Sequence, residues 1–148
     1  MTGKVFLVGA GPGDPSLITL RAVELIKKAD VVLYDRLVSK KILSMIPKKA
    51  KAVYVGRAVG DDYKHQDDTN DLMVKYAKIK RNIVRLKGGD PIIFGRGGEE
   101  AEYLKKHKIQ FEIVPGITSG IGSATYAGIP LTHRKFASSV VFVTGHED

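Results

Sequence analysis

The sequence predicts an α/β protein. It should hold a five-stranded, mostly parallel sheet with helices on both faces, followed by the start of a second α/β domain that is incomplete. Three observations carry that prediction. Short apolar runs recur five times, each nearly continuous, as in strands buried on both faces. Helical stretches with one apolar side separate them, a pattern that calls for parallel crossovers. Unusual glycine- and charge-rich segments follow the strands, where open parallel sheets gather their ligands.

Lys4–Gly9 (KVFLVG) is the first strand, and Ala10–Pro15 is a turn. Ser16 can cap the next helix, in which Ile18, Ala22, Leu25, Ile26 and Ala29 share one face. Lys27 and Lys28 suit its carbonyl end. Val31–Tyr34 is the second strand, ending at Asp35. A short helix over Ser39–Ile46 stops before Pro47, and Ala52–Gly56 is the third strand. Arg57–Gln66 reads as polar and irregular. Asp67–Lys80 is helical, with Leu72, Met73, Tyr76 and Ile79 on one side. Asn82–Leu86 is the fourth strand, Lys87–Gly98 a glycine-rich loop, Glu99–His107 a helix and Gln110–Val114 the fifth strand.

Residues 1–115 thus make one α/β unit. Residues 116–148 offer a small-residue helix over Ile117–Ala127, a loop and a strand over Ser138–Thr144. That is too little to bury a core of its own, so the segment reads as the opening of a second domain. The alternative is that the last strand joins the first sheet as a sixth member.

The composition excludes several classes. There is no cysteine, which removes disulfide scaffolds, thiolate metal sites and cysteine nucleophiles. His65, His107 and His146 are isolated, so no metal site is expected. No apolar stretch is long enough for a membrane span, and a cytoplasmic location is the default expectation. The net charge of +8 admits nucleic acid, an acidic membrane surface or a polyanionic small molecule as partner, or simply a solvated lysine surface. Most of the 24 cations, however, fall on predicted helices or just past their ends, and no aromatic interleaving accompanies them. Nucleic acid is therefore not the expected partner. Arg36, Arg57, Arg96 and Arg134, in loops at or near strand ends, are the informative cations.

Gly9–Ala10–Gly11–Pro12–Gly13 superficially suggests a dinucleotide fingerprint, with Asp35 where a ribose-binding acid would sit. The third glycine comes one position early, and Pro12 removes an amide that could have held a phosphate. Gly88–Gly89–Asp90–Pro91 lets a ligand approach the main chain, with Asp90 either a ligand acceptor or the start of a turn. Asp35–Arg36 is either a general base beside a cation or a surface ion pair.

The segments VGAGPGDPSLITLRAVELIKKADVVLYDRLVS, VRLKGGDPIIFGRGGEEAEYL, VPGITSG and YAGIPLTHR occur in this order. Together they resemble the uroporphyrinogen-III C-methyltransferases of the tetrapyrrole methyltransferase family, across nearly the whole chain. The resemblance implies a two-domain α/β homodimer with S-adenosylmethionine bound between the domains. It implies methyl transfer to uroporphyrinogen III, giving precorrin-2 for sirohaem or cobalamin-type cofactors, with S-adenosylhomocysteine as coproduct. Neither nucleic acid nor membrane is an implied partner. Pro12, Gly88, Gly89, Asp90, Ile93, Thr118 and Ser119 would line the cofactor site, and Asp35 of YDRLVS would be the proton acceptor. Arg36, Arg96 and Arg134 would hold substrate carboxylates by bidentate pairing.

Arg57 stands where the family usually has a catalytic lysine, and arginine is a poor proton donor. Ala58–His65 matches the family pattern poorly, although Gln66 fits. Ser119 replaces a common alanine. The family's second domain continues past Gly145–Asp148, so this chain is expected to present half a site, binding cofactor weakly and not turning over alone. Another precorrin methyltransferase of the same fold, or a non-catalytic binding or assembly domain, remain the alternatives.

Overall fold

The computed structural model describes residues 2–56 and 64–145. Five strands form one sheet: β1 (Lys4–Gly9), β2 (Val31–Tyr34), β3 (Lys51–Tyr54), β4 (Asn82–Lys87) and β5 (Gln110–Val114). Their order is β3-β2-β4-β1-β5, and every pair is parallel. The helices are α1 (Leu20–Lys28), α2 (Lys40–Leu43), α3 (Lys64–Ile79), α4 (Gly97–Lys106) and α5 (Ser119–Tyr126).

Side-chain alternation divides the strands between two cores. Phe6 and Val8 of β1, Val32 of β2, and Val84 and Leu86 of β4 meet Ala22, Leu25 and Ile26 of α1 and Ile42 of α2. Val5, Leu7, Val31, Leu33 and Ile83 point the other way, onto Met73, Tyr76 and Ala77 of α3 and Ala101 and Leu104 of α4. Leu7, Ile26, Leu33, Leu86 and Leu104 are wholly buried, each worth about 1.5–3 kcal/mol over exposure. Helices therefore cover both faces, as the alternating sequence predicts.

Several local expectations change. Thr19, not Ser16, caps α1, its hydroxyl accepting from Ala22 N at 3.1 Å. Ser16 sits in a 3₁₀ turn over Pro15–Leu17 that the Asp14 carboxylate caps. The helix thus starts well past the glycine turn, and its N-terminus is not delivered to Gly9–Gly13 as a dinucleotide fingerprint requires. The helix starting at Ser39 is shorter than expected, with Ser39 as cap and turns continuing to Ile46. The helix expected from Asp67 begins at Lys64. Ile79 faces outward, because Ala77 and Val74 take the buried positions beside Met73 and Tyr76.

Residues 138–144 form no strand. Among the described residues they pair with none of the five strands, and a lone strand has nothing to stabilise it. The expectation of a strand there, in the first sheet or a second, is corrected on that ground. Phe142 instead leans on α5, where a Cβ on Gly120 would collide with its ring. Residues 127–145 contain no buried residue. Among the described residues, no helix is long and apolar enough to cross a membrane.

Candidate functional site

The connection after β1 runs to α1 on one face, and that after β4 runs to α4 on the other. Two neighbouring strands whose chains leave in opposite directions open a crevice at their carboxyl ends. A cavity of about 560 Å³ lies there, lined from the ends of β1, β2, β3 and β4 and by the start of α5.

Glycine backbone builds its floor. Gly11 and Gly89 exchange hydrogen bonds, N to O at 3.1 and 2.8 Å, tying the β1 and β4 loops together. A Cβ on Gly9 would lie 2.6 Å from Gly116 N and 2.7 Å from Gly89 O, closer than any side chain is tolerated. Three loops converge here only because none has a side chain. Gly89 adopts a φ of +66°. Its pro-Cβ direction points across a gap to Thr118 Cα at 3.8 Å, so a side chain there would fill the opening between the β4 loop and α5.

Asp90 braces this junction. Its Oδ1 accepts from Ile92 N at 2.8 Å and Ile93 N at 3.3 Å, and its Oδ2 accepts from Gly116 N at 3.0 Å. The turn-forming role foreseen for Asp90 is therefore present, while the residue also lines the cavity. Pro12 packs on α5, where a Cβ on Gly122 would lie 3.0 Å from its Cγ.

Asp35, one residue beyond β2, faces the cavity with its side chain 21% exposed. Its Oδ1 accepts from Leu37 N at 3.0 Å, and its Oδ2 lies 3.5 Å from Arg85 Nη2. Behind it lies a charged layer. Arg85 Nε donates to Glu100 Oε1 at 3.1 Å and Lys87 Nζ donates to the same oxygen at 3.0 Å. Glu100 is wholly buried, and Arg85 and Lys87 are nearly so. Burial holds the Lys87 ammonium below its ordinary pKa of 10.5, assisted by the neighbouring Arg85 and opposed by Glu100.

Of the residues singled out in the sequence, Pro12, Asp35, Arg36, Gly88, Gly89, Asp90, Ile93, Arg96, Thr118 and Ser119 all line this one cavity. Arg96 pairs with Glu99 and holds a left-handed φ of 57° at the start of α4. Arg134 is exposed and stands outside the cavity lining, in the turn after α5. Arg57 lies outside the described residues, as does most of Ala58–His65. Sequence reasoning missed Arg85, Lys87, Glu100, Leu37, Thr69 and Phe94. A signal existed for Arg85: a charge within an otherwise apolar parallel strand needs a buried partner.

These features define an open-sheet α/β protein with a glycine-floored cavity and an anchored carboxylate at its strand ends. The chain belongs to the Tetrapyrrole (Corrin/Porphyrin) Methylases, whose family pattern it matches over residues 4–148. It is 57% identical over 144 residues to the uroporphyrinogen-III C-methyltransferase of Bacillus subtilis, covering 97% of this chain and 56% of that protein. It is 59% identical over 145 residues to the siroheme synthase of Pseudomonas fluorescens, covering 98% of this chain and 31% of that protein. The fold matches the native uroporphyrin III C-methyl transferase of Thermus thermophilus with a TM-score of 0.81 and 48% identity, over 93% of this chain and 57% of that one. A structure of the Thermus enzyme complexed with S-adenyl homocysteine matches with a TM-score of 0.78, also at 48% identity, over 93% of this chain and 57% of that one. The chain thus spans between about a third and just over half the length of these relatives.

Proposed function

We propose that the chain forms the strand-end half of the active site in an S-adenosylmethionine-dependent enzyme that C-methylates uroporphyrinogen III to precorrin-2. Residues 1–115 would be its N-terminal α/β domain, and residues 116–148 the opening of the next. The observation that carries this reading is convergence: residues from each of the GPGD, YDR, GGDP and PGITS segments, far apart in sequence, line one cavity. The similarity to uroporphyrinogen-III C-methyltransferases supports the same reaction. The bare, exposed course of residues 127–145 supports the domain division.

The residues present suit the cofactor. The gap between Gly89 and Thr118 is a cradle that a Cβ would fill, and Pro12 and Ile93 supply apolar walls beside it. Thr118 and Ser119 add hydroxyls and the first amides of α5. S-adenosylmethionine supplies an electrophilic methyl group there. The chain's own work is to orient the acceptor carbon and to remove the proton that this carbon system must lose after transfer. Asp35 is our candidate proton acceptor: it lines the cavity with its side chain 21% exposed, whereas the other lining carboxylate, Asp90, is taken up by three backbone amides. Arg36 and Arg96 at the rim would take substrate carboxylates. Arg57 and Arg134 are proposed for the same electrostatic task rather than for proton donation.

The test is methyl transfer by the protein as its gene encodes it, offered uroporphyrinogen III and, separately, already methylated precorrins. Uroporphyrinogen III should be the better acceptor. Asp35→Ala should lose transfer while still binding S-adenosylhomocysteine in a calorimetric titration. Transfer to methylated precorrins alone would overturn the reading in favour of another precorrin methyltransferase.

A further inference from the structure

We propose that Arg85 is a positioning residue for Asp35, and that the buried Glu100 clamps Arg85 for that purpose. The inference rests on the reading of Asp35 as proton acceptor, and assigns the side chains that hold its carboxylate.

The first argument is that packing does not ask for these charges. Arg85 pairs in register with Leu7 on β1 and Leu33 on β2, both wholly buried and apolar. Glu100 shares the inner side of α4 with Ala101 and Leu104. An apolar pair would fill this layer at least as well, since a buried ion pair pays heavy desolvation for its attraction. The charges are balanced, with Arg85 and Lys87 against Glu100 and Asp35, so the layer is tolerated. Balance alone does not explain why it faces a ligand cavity.

The second argument is geometric. Asp35 lies two positions beyond Leu33, hence on the same side of the sheet as Arg85. One carboxylate oxygen is tied to Leu37 N at 3.0 Å, and the other meets Arg85 Nη2 at 3.5 Å. The first contact alone leaves the carboxylate free to rotate about a local turn. The second fixes it from across the sheet.

Arg85 is itself immobilised. Its Nε is held by Glu100 Oε1 at 3.1 Å and its Nη1 by the Leu86 carbonyl at 3.2 Å, leaving Nη2 turned toward Asp35. Its side chain borders the cavity but is only 7% exposed, and its nitrogens are already engaged by Glu100, the Leu86 carbonyl and Asp35. It acts through Asp35.

The experiment has two arms. In the 148-residue chain, three-bond NMR couplings report the χ1 rotamer of Asp35. Asp30 is the internal reference, its carboxylate being tied to Arg81 N and Asn82 N away from the cavity. Wild type should show one Asp35 rotamer. Arg85→Met and, more mildly, Glu100→Gln should average it, Arg85→Lys should retain part of the order, and Asp30 should not change.

In the protein as its gene encodes it, Arg85→Met should lower kcat on the order of tenfold to a hundredfold, the scale of a misplaced catalytic group. KM should change far less than kcat, because the Arg85 nitrogens are engaged by Glu100, the Leu86 carbonyl and Asp35 rather than open to substrate. On an Asp35→Asn background, Arg85→Met should add nothing. A single Asp35 rotamer persisting in both Arg85→Met and Glu100→Gln would overturn the proposal. If Arg85→Met fails to fold, Glu100→Gln and Arg85→Lys decide the same point. An equal loss from Arg85→Met with and without Asp35 would also overturn it. If Asp35→Asn turns over like wild type, the proton-acceptor reading fails, and the rotamer arm still decides what holds Asp35.

Discussion

Asp90→Ala is the most direct test of how the cavity floor is held. The Asp90 carboxylate accepts from three backbone amides, those of Ile92, Ile93 and Gly116. The first two shape its own turn, and the third pins the β4 loop to the segment between β5 and α5. Each such bond contributes a net of about 1 kcal/mol, so removing all three costs about 3 kcal/mol. With a urea m-value of about 1.5 kcal/mol/M, the unfolding midpoint should fall by about 2 M. Asp90→Asn separates the two functions. Its amide oxygen can keep the turn, but its NH₂ faces the Gly116 N–H, which loses its acceptor. That variant should cost about 1–2 kcal/mol, or about 1 M in midpoint. Gly116 should also lose amide-exchange protection. The measurements use no ligand, so they isolate the bracing role from any contact with cofactor. Midpoints unchanged in both variants would refute the reasoning and leave Asp90 as a ligand contact only.

Further outcomes follow from the same geometry. Gly9→Ala should destabilise by about 3 kcal/mol in urea unfolding, since its Cβ meets backbone of two other loops. Gly98→Ala should instead stabilise by about 0.5–1 kcal/mol, because that glycine lies in α4 with nothing within 4 Å of a new Cβ. The Glu112 carboxyl is held below 4.5 chiefly by its hydrogen bond from Lys4, with Arg21 assisting. Its contribution is present above 4.5 and lost as pH falls through the folded value. Glu112→Gln should therefore cost at most about 1 kcal/mol at neutral pH and nothing at the acid end. Lys87 has the opposite sign. Its folded pKa lies below 10.5, so in the window between them the unfolded chain binds more protons. Stability from this residue rises with pH there, and wild-type urea midpoints should gain on those of Lys87→Met as pH approaches 10.5.

The fold was largely legible because its signals are local and repeated. β1, β2 and β5 coincide with their apolar runs, and Ala22, Leu25, Ile26 and Ala29 are buried as their spacing requires. Failures came where a local signal met a distant constraint. Ser16 is a good cap by type, yet Asp14 closes a 3₁₀ turn around it and passes the capping role to Thr19. Ser138–Thr144 has strand composition, but strand formation needs a neighbour, which composition does not report.

The site was legible in its glycines and at Asp35 because each sits immediately after a strand, where position in an open sheet already implies proximity to a ligand. The charged layer was not legible, and the reason is combinatorial rather than chemical. Arg85 stands out in Asn82–Lys87 as a cation in an apolar strand, and Glu100 stands out as an acid on the inward side of α4. Neither reveals its partner, because joining them requires knowing that β4 lies beside β2 and that α4 covers the same face as α3. The order β3-β2-β4-β1-β5 supplies that knowledge. It brings Asp35, just beyond the second strand, next to Arg85 of the fourth, across about a third of the chain. The catalytic proposal therefore depends less on any one motif than on a crossover that no motif encodes.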